Sequence, residues 1–473
     1  MAPLTENLWP HVRHEFASLG IYEDPRVESK FTTGYAPNQS LAAVKEFVGG
    51  PVGLDWSWAE NCYDAGGVIQ SIWHKLMIET TRIDPYLDGF SFWLMLDMAP
   101  SGPCGILDAF WGPKHSTPQI FQQFNAATVV CARTVGTQTP EVLGFNPATL
   151  IHTAGETLEV DWVVSHFQAK ALQDATLTWQ LTAGTETLAS GQIDHVNVAP
   201  GAVPVVGRSR ITFPAVPRAL KATLSAGLAA AGSGNSWELW IYPPFHPQPA
   251  AGTGLAAAPG AFDLLAARYP GIARLGTPPA ASATLVVAAN LLEPGVAEAL
   301  RQGKSVISLS LPGGDTLKPG TRLGVWAPDG VSNQAGTAIA DHPAFGDFPH
   351  GRYLDQGWFR LIDTAAKLDA GHPFRKVEPL MVGIGRKGAY KYGMSNFPLG
   401  FNLYAFQARV GPAKLLATGL NLMSAYPEAV YLLDQFIRYA QSTDFKPKGS
   451  FDLAALRQNA KSSPPPDLQK ADW

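Results

Sequence analysis

The chain is 473 residues long, enough for about three domains, and its 46% hydrophobic and 16% charged residues support a sizeable core and exclude a solvated, disordered chain. A formal net charge of −4, with no basic block or basic face, argues against a nucleic-acid partner and against an anionic membrane surface. The longest apolar runs, such as FSFWLML, fall far short of the roughly 20 residues that a membrane helix needs.

The start, MAPLTENLWPHVRHEF, has no basic segment followed by an apolar one, so no signal peptide is read here. The three cysteines, Cys62, Cys104 and Cys131, are odd in number and unpatterned in spacing, which indicates neither a disulfide framework nor a zinc site. No H-E-x-x-H occurs, and His11 and His14 in a strand point to opposite faces, so no metal and no cofactor is expected.

In chain order, PHVRHEF is a short extended run, GGVIQSIWHKLMIETTR has helical apolar spacing, and GFSFWLML is short and almost unbroken in its apolarity. A parallel strand covered by helices on both faces loses the in/out alternation, so strand, long helix and strand predict a parallel βαβ unit. From about residue 134 the pattern alternates instead. Leu158, Val160, Trp162 and Val164 share one face of ETLEVDWVVSHF, and ATLTWQLTAG and SWELWIYPPF repeat the rhythm, which predicts an antiparallel β-sandwich whose aromatics are core.

PPFHPQPAAGTGLAAAPG then reads as a linker. Beyond it ATLVVAAN is a strand, EPGVAEALRQG a helix closed by Gly303, and SVISLSL another strand. FNLYAFQARV and AKLLATGLNL flank a turn at Gly411-Pro412, and YPEAVYLLDQFIRYAQS is an amphipathic helix with Pro427 in its first turn. The tail from about residue 445 reads as loosely ordered. The expected architecture is multidomain α/β plus all-β: residues 1–133, 134–245 and 254–444, with 445–473 as the tail.

Chemistry concentrates near the start. His14 and Glu15 end a strand-like run, and parallel strands place catalytic side chains at their carboxyl ends, where loops leave room for substrate. Glu15 is thus a candidate nucleophile or general base, with His14 and Tyr22 as neighbours, or else a plain strand-end carboxylate. Phe92, Trp93 and Asp97 close the next strand, where flat rings suit sugar faces and a carboxylate binds hydroxyls, unless the rings are simply core.

WPHVRHEFASLGIYEDP, followed after a helix by YLDGFSFWLMLDMAPSGPCGILDAFWGPKHSTPQIFQQF, resembles the end of the catalytic barrel of glycoside hydrolase family 2, which includes β-galactosidases, β-glucuronidases and β-mannosidases. The resemblance covers about the first quarter of the chain and rests on a His-Glu at a seventh strand, an aromatic eighth strand, an acidic residue, a Gly-rich loop and GILDAFWGPK. It implies a partial (β/α)8 (TIM) barrel, an immunoglobulin-like β-sandwich and a doubly wound, flavodoxin-like α/β domain similar to glutamine amidotransferases. It implies a retaining exo-glycosidase with Glu15 as nucleophile. Phe92 or Trp93 would line the sugar subsite, His14, Tyr22 and Asp97 would be substrate-proximal, and Asp108 would be structural. Carbohydrate is the implied partner. The compartment is open, full-length relatives being exported or periplasmic.

A retaining glycosidase needs a second carboxyl group about 5–5.5 Å from the first. In the family it comes from the fourth strand, which has no counterpart here, and two βα units cannot close an eight-stranded barrel. The isolated chain is therefore expected to be inactive unless a missing N-terminal half or a second subunit supplies that group, or unless Glu23, Glu28, Asp55 or Glu60 does. The α/β domain, read as residues 254–444, holds no cysteine and no G-x-S-x-G, which predicts a non-catalytic module with His342 as a structural loop residue. A non-catalytic carbohydrate-binding or scaffold protein is the competing reading.

Overall fold

The β-branched and aromatic residues of VRHEF form strand β1 (Val12–Phe16), and the helical apolar spacing after it forms α1 (Ser57–Ile83), which begins where the Asp55 carboxylate accepts from the Ser57 N–H at 2.8 Å. Strand β2 (Gly89–Phe92) returns parallel to β1. It is shorter than GFSFWLML suggests: pairing stops at Phe92, and Leu96 reappears only as an isolated bridge to Leu107.

The computed structural model describes residues 10–17, 19, 21, 24–32, 54–84, 86–97, 104–136, 141–310, 315–316, 336–362, 366–369, 376–386, 399–452 and 454. Within them the protein is a mixed α/β chain with several sheets. It divides into two compact units, Met1–Glu23 with Gly66–Pro243 and Asp355–Gly357, and Asp24–Ala65 with Pro244–Leu354 and Trp358–Trp473.

In the first unit, α2 (Pro118–Asn125) starts at Thr117, whose hydroxyl accepts from the Ile120 N–H while Pro118 occupies the first turn. Phe16, Ile78 and Phe124 bury together, with Phe90, Phe92 and Phe121 packed against them. Strands β3 (Thr128–Thr134), β4 (Ile151–Thr153), β5 (Thr157–His166), β6 (Leu172–Ala183), β7 (Glu186–Val198), β8 (Val205–Thr212), β9 (Leu220–Leu228) and β10 (Ser233–Tyr242) follow. They form two sheets, β3-β5-β8 and β4-β10-β9-β6-β7, antiparallel except for β4 on β10. Trp162 and Trp237 meet between them with ring centroids 6.0 Å apart.

The alternation read from β5 holds for Leu158, Val160, Trp162 and Val164, yet Val163 on the opposite face is buried too. It packs with Val129, Cys131, Ile83 and Ala126, so the end of α1 covers the outer face of the three-stranded sheet.

Glu79 of α1 is fully buried and ion-paired with Lys75 one turn earlier. Its carboxylate also accepts from the Asn235 amide at 2.6 Å and the Trp237 indole at 3.3 Å. Asn235 donates to the Val130 carbonyl at 2.8 Å, and the Lys75 ammonium lies 4.5 Å over the Trp237 ring. A second buried carboxylate, Asp355, accepts from the Gly357 N–H at 3.0 Å and lies 3.5 Å from Lys221. Burial pushes its carboxyl up to about 7, because Lys221 is shared with Glu238 at 2.7 Å and offsets only part of the desolvation.

In the second unit, the passage read as a linker contains strand β11 (Leu255–Ala257). Its small side chains are wholly buried, so the alanines mark a tight parallel core strand. It is followed by α3 (Pro259–Arg268), β12 (Ala273–Arg274), β13 (Leu285–Ala288), α4 (Val296–Arg301) and β14 (Ser305–Ser308). Further on lie β15 (Asp315–Thr316), β16 (Thr337–Ile339), β17 (Ala366–Asp369), β18 (Glu378–Arg386), β19 (Leu399–Val410), β20 (Ala413–Thr418) and helix α5 (Pro427–Gln441).

One half of the sheet is parallel, in the order β12-β11-β13-β14-β20. From β19 onward its pairings are antiparallel. The expected open parallel sheet is thus a mixed one. Gly411, at φ 58, makes the β19–β20 turn that Gly-Pro suggested. The start of the tail packs rather than frays: Phe445 is fully buried, and Phe451 lies 5.9 Å from Phe406.

Two outcomes test these buried charges. Glu79→Ala leaves Lys75 without its counter-charge and is expected to cost about 3–5 kcal/mol in urea unfolding. The raised Asp355 carboxyl means that folding takes up a proton, so its contribution is complete below the ordinary carboxylate range and is lost as pH rises through about 7. Asp355→Asn should therefore gain on the wild type between pH 5 and 8, by at most about 1.4 kcal/mol per pH unit, in thermal melts across that range.

Candidate functional site

Val12 and Arg13 pair with Gly89 and Phe90, then the register slips and Phe16 pairs with Phe92. Two residues of β1, His14 and Glu15, thus stand against one of β2, which is a β-bulge. Glu15 sits at φ 51 and Ala17 at φ 58, a region that residues with side chains seldom adopt. Bulges re-aim side chains, and both His14 and Glu15 are solvent-exposed. Among the described residues Glu15 has no hydrogen-bond or ion-pair partner, so its carboxylate is open to solvent. The Trp93 N–H donates to the Phe16 carbonyl at 3.0 Å, which holds the residue after β2 beside the bulge.

Phe92 turns into the core: its ring meets His74 edge-on at 5.0 Å and Phe121 at 5.8 Å. Trp93, next along the chain, is half-buried. Asp97 accepts from the Gly105 N–H at 2.7 Å and pairs with Lys114 at 2.8 Å. Gly105 must be glycine, because a β-carbon there would collide with the backbone of Leu96, Asp97 and Leu107. Burial pushes the Asp97 carboxyl up and the Lys114 ammonium down, while each partner draws the other back toward its charged form.

Asp108 is buried and accepts from the Phe110 N–H at 2.8 Å and the Gly112 N–H at 2.7 Å. That turn holds Trp111 at φ 66 with 64% of its surface exposed. Tyr22 and Glu23 lie outside the described residues. Of the other carboxylates considered as a second catalytic group, Glu28 belongs to a short 3-10 turn (Pro25–Lys30), Asp55 holds the start of α1, and Glu60 stands in the first turn of that helix.

Three residues of this region went unnamed in the sequence reading. Lys114 was in plain view in GILDAFWGPK, but nothing local says that a lysine 17 residues after Asp97 is its partner. His74 looks like one more polar position on a helix. Burial lowers its pKa to about 3, so it is a neutral imidazole, with Nδ1 3.0 Å from the Ser116 hydroxyl. Trp111 gave no signal, because aromatics in apolar runs are usually core. No group of three His, Cys, Asp or Glu residues is placed to hold a metal ion among the described residues.

In the second unit, His342 Nδ1 accepts from the Ala344 N–H at 3.1 Å, and the ring packs on Tyr439. The unit also holds a cysteine, which chain order hid. Cys62 comes from the segment before α1 reaches Gly66, is fully buried, and directs its thiol at the Val382 carbonyl at 3.5 Å. No helix of the described chain is long and apolar enough to cross a membrane.

Two family models match parts of the chain, each described as a domain of unknown function: DUF8488 over residues 156–243 and DUF8487 over residues 287–461. No curated protein matches. Among solved structures, the chain is similar to the exo-chitosanase CsxA of Amycolatopsis orientalis in complex with PNP-beta-D-glucosamine, at a TM-score of 0.26 and 9% identity, over 50% of this chain and 27% of that one. A family 123 glycoside hydrolase from Clostridium perfringens aligns at a TM-score of 0.19 and 8% identity, over 29% of this chain and 31% of that one. Spo0M, the sporulation control protein of Bacillus subtilis, aligns at 0.17 and 14%, over 26% of this chain and 51% of that one. The chain spans about half the length of these structures or less. At such scores the likeness to glycoside hydrolases is distant and defines no specific activity.

Asp97→Asn is expected to destabilise the first unit by about 3 kcal/mol, since it removes the carboxylate charge that the buried Lys114 ammonium meets at 2.8 Å. The double variant Asp97→Asn with Lys114→Met should recover part of that loss, measured as urea midpoints of the four members of the cycle.

Proposed function

We propose that the first unit carries one half of a glycosidase-type site, with Glu15 as the nucleophilic carboxylate and Trp93, rather than Phe92, as the ring beside the sugar. The observation that carries this reading is the bulge: a glutamate without a partner among the described residues, at positive φ, exposed at the carboxyl end of a parallel strand pair. A merely structural strand-end carboxylate has no need of such a backbone, and costly conformations concentrate where function demands them. The motif resemblance of VRHEF and GILDAFWGPK supports the same assignment. On this reading β1 and β2 are the last strands of a (β/α)8 barrel, the sheets of β3 to β10 form an immunoglobulin-like sandwich, and the second unit is a doubly wound, amidotransferase-like module.

The chemistry follows from a double displacement. A Glu15 oxygen attacks the anomeric carbon, the bond to the leaving oxygen breaks, and that oxygen takes a proton from an acid. Water then attacks the glycosyl ester with a base removing its proton. The resemblance assigns no acid/base to this chain, so the purified 473-residue protein is expected to show negligible turnover of nitrophenyl glycosides, whose leaving groups still draw on that acid.

The test removes the need for the acid. Dinitrophenyl 2-deoxy-2-fluoroglycosides in the gluco, galacto, manno and glucurono series have leaving groups that depart unprotonated. At least one should add a single fluoroglycosyl mass to the intact protein, with peptide mapping placing it on Glu15 and Glu15→Gln abolishing it. No adduct with any of the four, or an adduct on another residue, refutes the assignment.

A further inference from the structure

Among the described residues of the first unit, two carboxylates have no surface in contact with water, Glu79 and Asp355. Their surroundings differ. Glu79 is met by the Lys75 ammonium, the Asn235 amide and the Trp237 indole, the kind of provision that a permanently charged buried group requires. Asp355 accepts from one backbone N–H, that of Gly357 at 3.0 Å, and its other oxygen is 3.5 Å from the Lys221 ammonium, longer than an ordinary N–H···O bond. That ammonium, on β9, already pairs at 2.7 Å with Glu238 of β10. Lys221 and Glu238 are the charged groups that face Asp355, so one positive charge stands between two carboxylates. Glu238 has 42% of its side chain in water and Asp355 has none, so the cost of a second negative charge falls on Asp355.

The carboxylate sits on a very short piece of chain. Asp355, Gln356 and Gly357 belong to the first unit, while Leu354 before them and Trp358 after them belong to the second. The Gln356 amide donates to the Gly144 carbonyl at 2.8 Å, and Gly357 lies against the Trp240 ring. Both contacts are neutral and independent of pH. A segment of this length, held by so few bonds, opens locally while the strands beneath it stay paired.

We propose that Asp355–Gly357 is an acid-set latch, closed on the first unit while Asp355 carries its proton and loosened when that proton is lost. Seated, the carboxyl is pushed up to about 7 by burial; released into water, it returns to the ordinary carboxylate range. Closing therefore takes up a proton. The latch is firmest below the ordinary carboxylate range, weakens as pH rises toward about 7, and changes no further above that, where Asp355 is ionised both seated and released. Mildly acidic surroundings hold the segment in place, and neutral ones loosen it. The latch uses no residue of the β1 bulge, so it stands whether or not Glu15 is a nucleophile.

Amide hydrogen exchange of the full chain tests this between pH 5 and 8, read by mass spectrometry on peptides spanning residues 355–357 and corrected for the intrinsic pH dependence of exchange. Protection of those peptides should fall by up to about tenfold per pH unit between pH 5 and 7 and then level off, while peptides from β6 and β9 keep theirs. Asp355→Asn, neutral throughout, should show no such fall. Glu238→Gln leaves Lys221 to Asp355 alone and should move the levelling point to lower pH; this variant decides the matter if Asp355→Asn does not fold. Protection independent of pH in the wild type, the same fall in Asp355→Asn, a fall shared by β6 and β9, or a levelling point that Glu238→Gln does not move each overturns the proposal.

Discussion

The first unit is arranged around a carboxylate that water does not reach. Glu79 is tolerable in the interior only because a lysine, an amide and an indole all meet it, since an unpaired buried charge costs several kcal/mol. Those partners come from α1 itself and from β10, while Asn235 passes the connection on to the Val130 carbonyl of β3. One helix is thereby tied to both sheets of the sandwich. Sliding α1 by a turn would break the bonds to Asn235 and Trp237 together, so a single placement survives. The adjacent turn of the same helix carries Ile78, against which Phe16 and Phe124 pack. The strand pair with its bulge is thus seated on a helix whose register is already determined.

Much of this architecture was legible. Period-2 runs such as that of Leu158 to Val164 announced the sandwich, because the alternation follows from the pleat itself. The long helix, the Gly411 turn and the Pro427 helix were legible for equally local reasons. What stayed hidden depends on partners distant in sequence. β11 is one leucine and two alanines in a Pro- and Gly-rich stretch, and only the neighbouring strands β12 and β13 make it a strand. Val163 looked like the solvent side of β5 until α1 was seen to cover it. The reversal from parallel to antiparallel at β19 has no local signature at all.

The candidate site divides in the same way. Glu15, His14, Phe92, Trp93 and Asp97 could be singled out because residue types and spacing suggested chemistry, and Asp108 could be read as structural. The sequence does not say which way a side chain turns: Phe92 goes to His74 and Phe121, and Asp97 is occupied by Lys114 and Gly105. Nor does it reveal a left-handed glutamate, since nothing in RHEF demands one. Trp111 escaped for the opposite reason. Its exposure comes from a turn that Asp108 ties, and that tie is two hydrogen bonds that the carboxylate accepts from the Phe110 and Gly112 N–H groups.

Asp355, Gln356 and Gly357 belong to the first unit although their neighbours on either side in the chain belong to the second. Gln356 donates to the Gly144 carbonyl at 2.8 Å, and Gly357 lies so close against the Trp240 ring that a β-carbon would not fit. The unit is therefore discontinuous in the gene. An exon boundary, a recombination joint or a protease cut placed after Pro243 would release a sandwich with an unfilled slot over Trp240, so this part of the protein is inherited with its downstream triplet or not in working form.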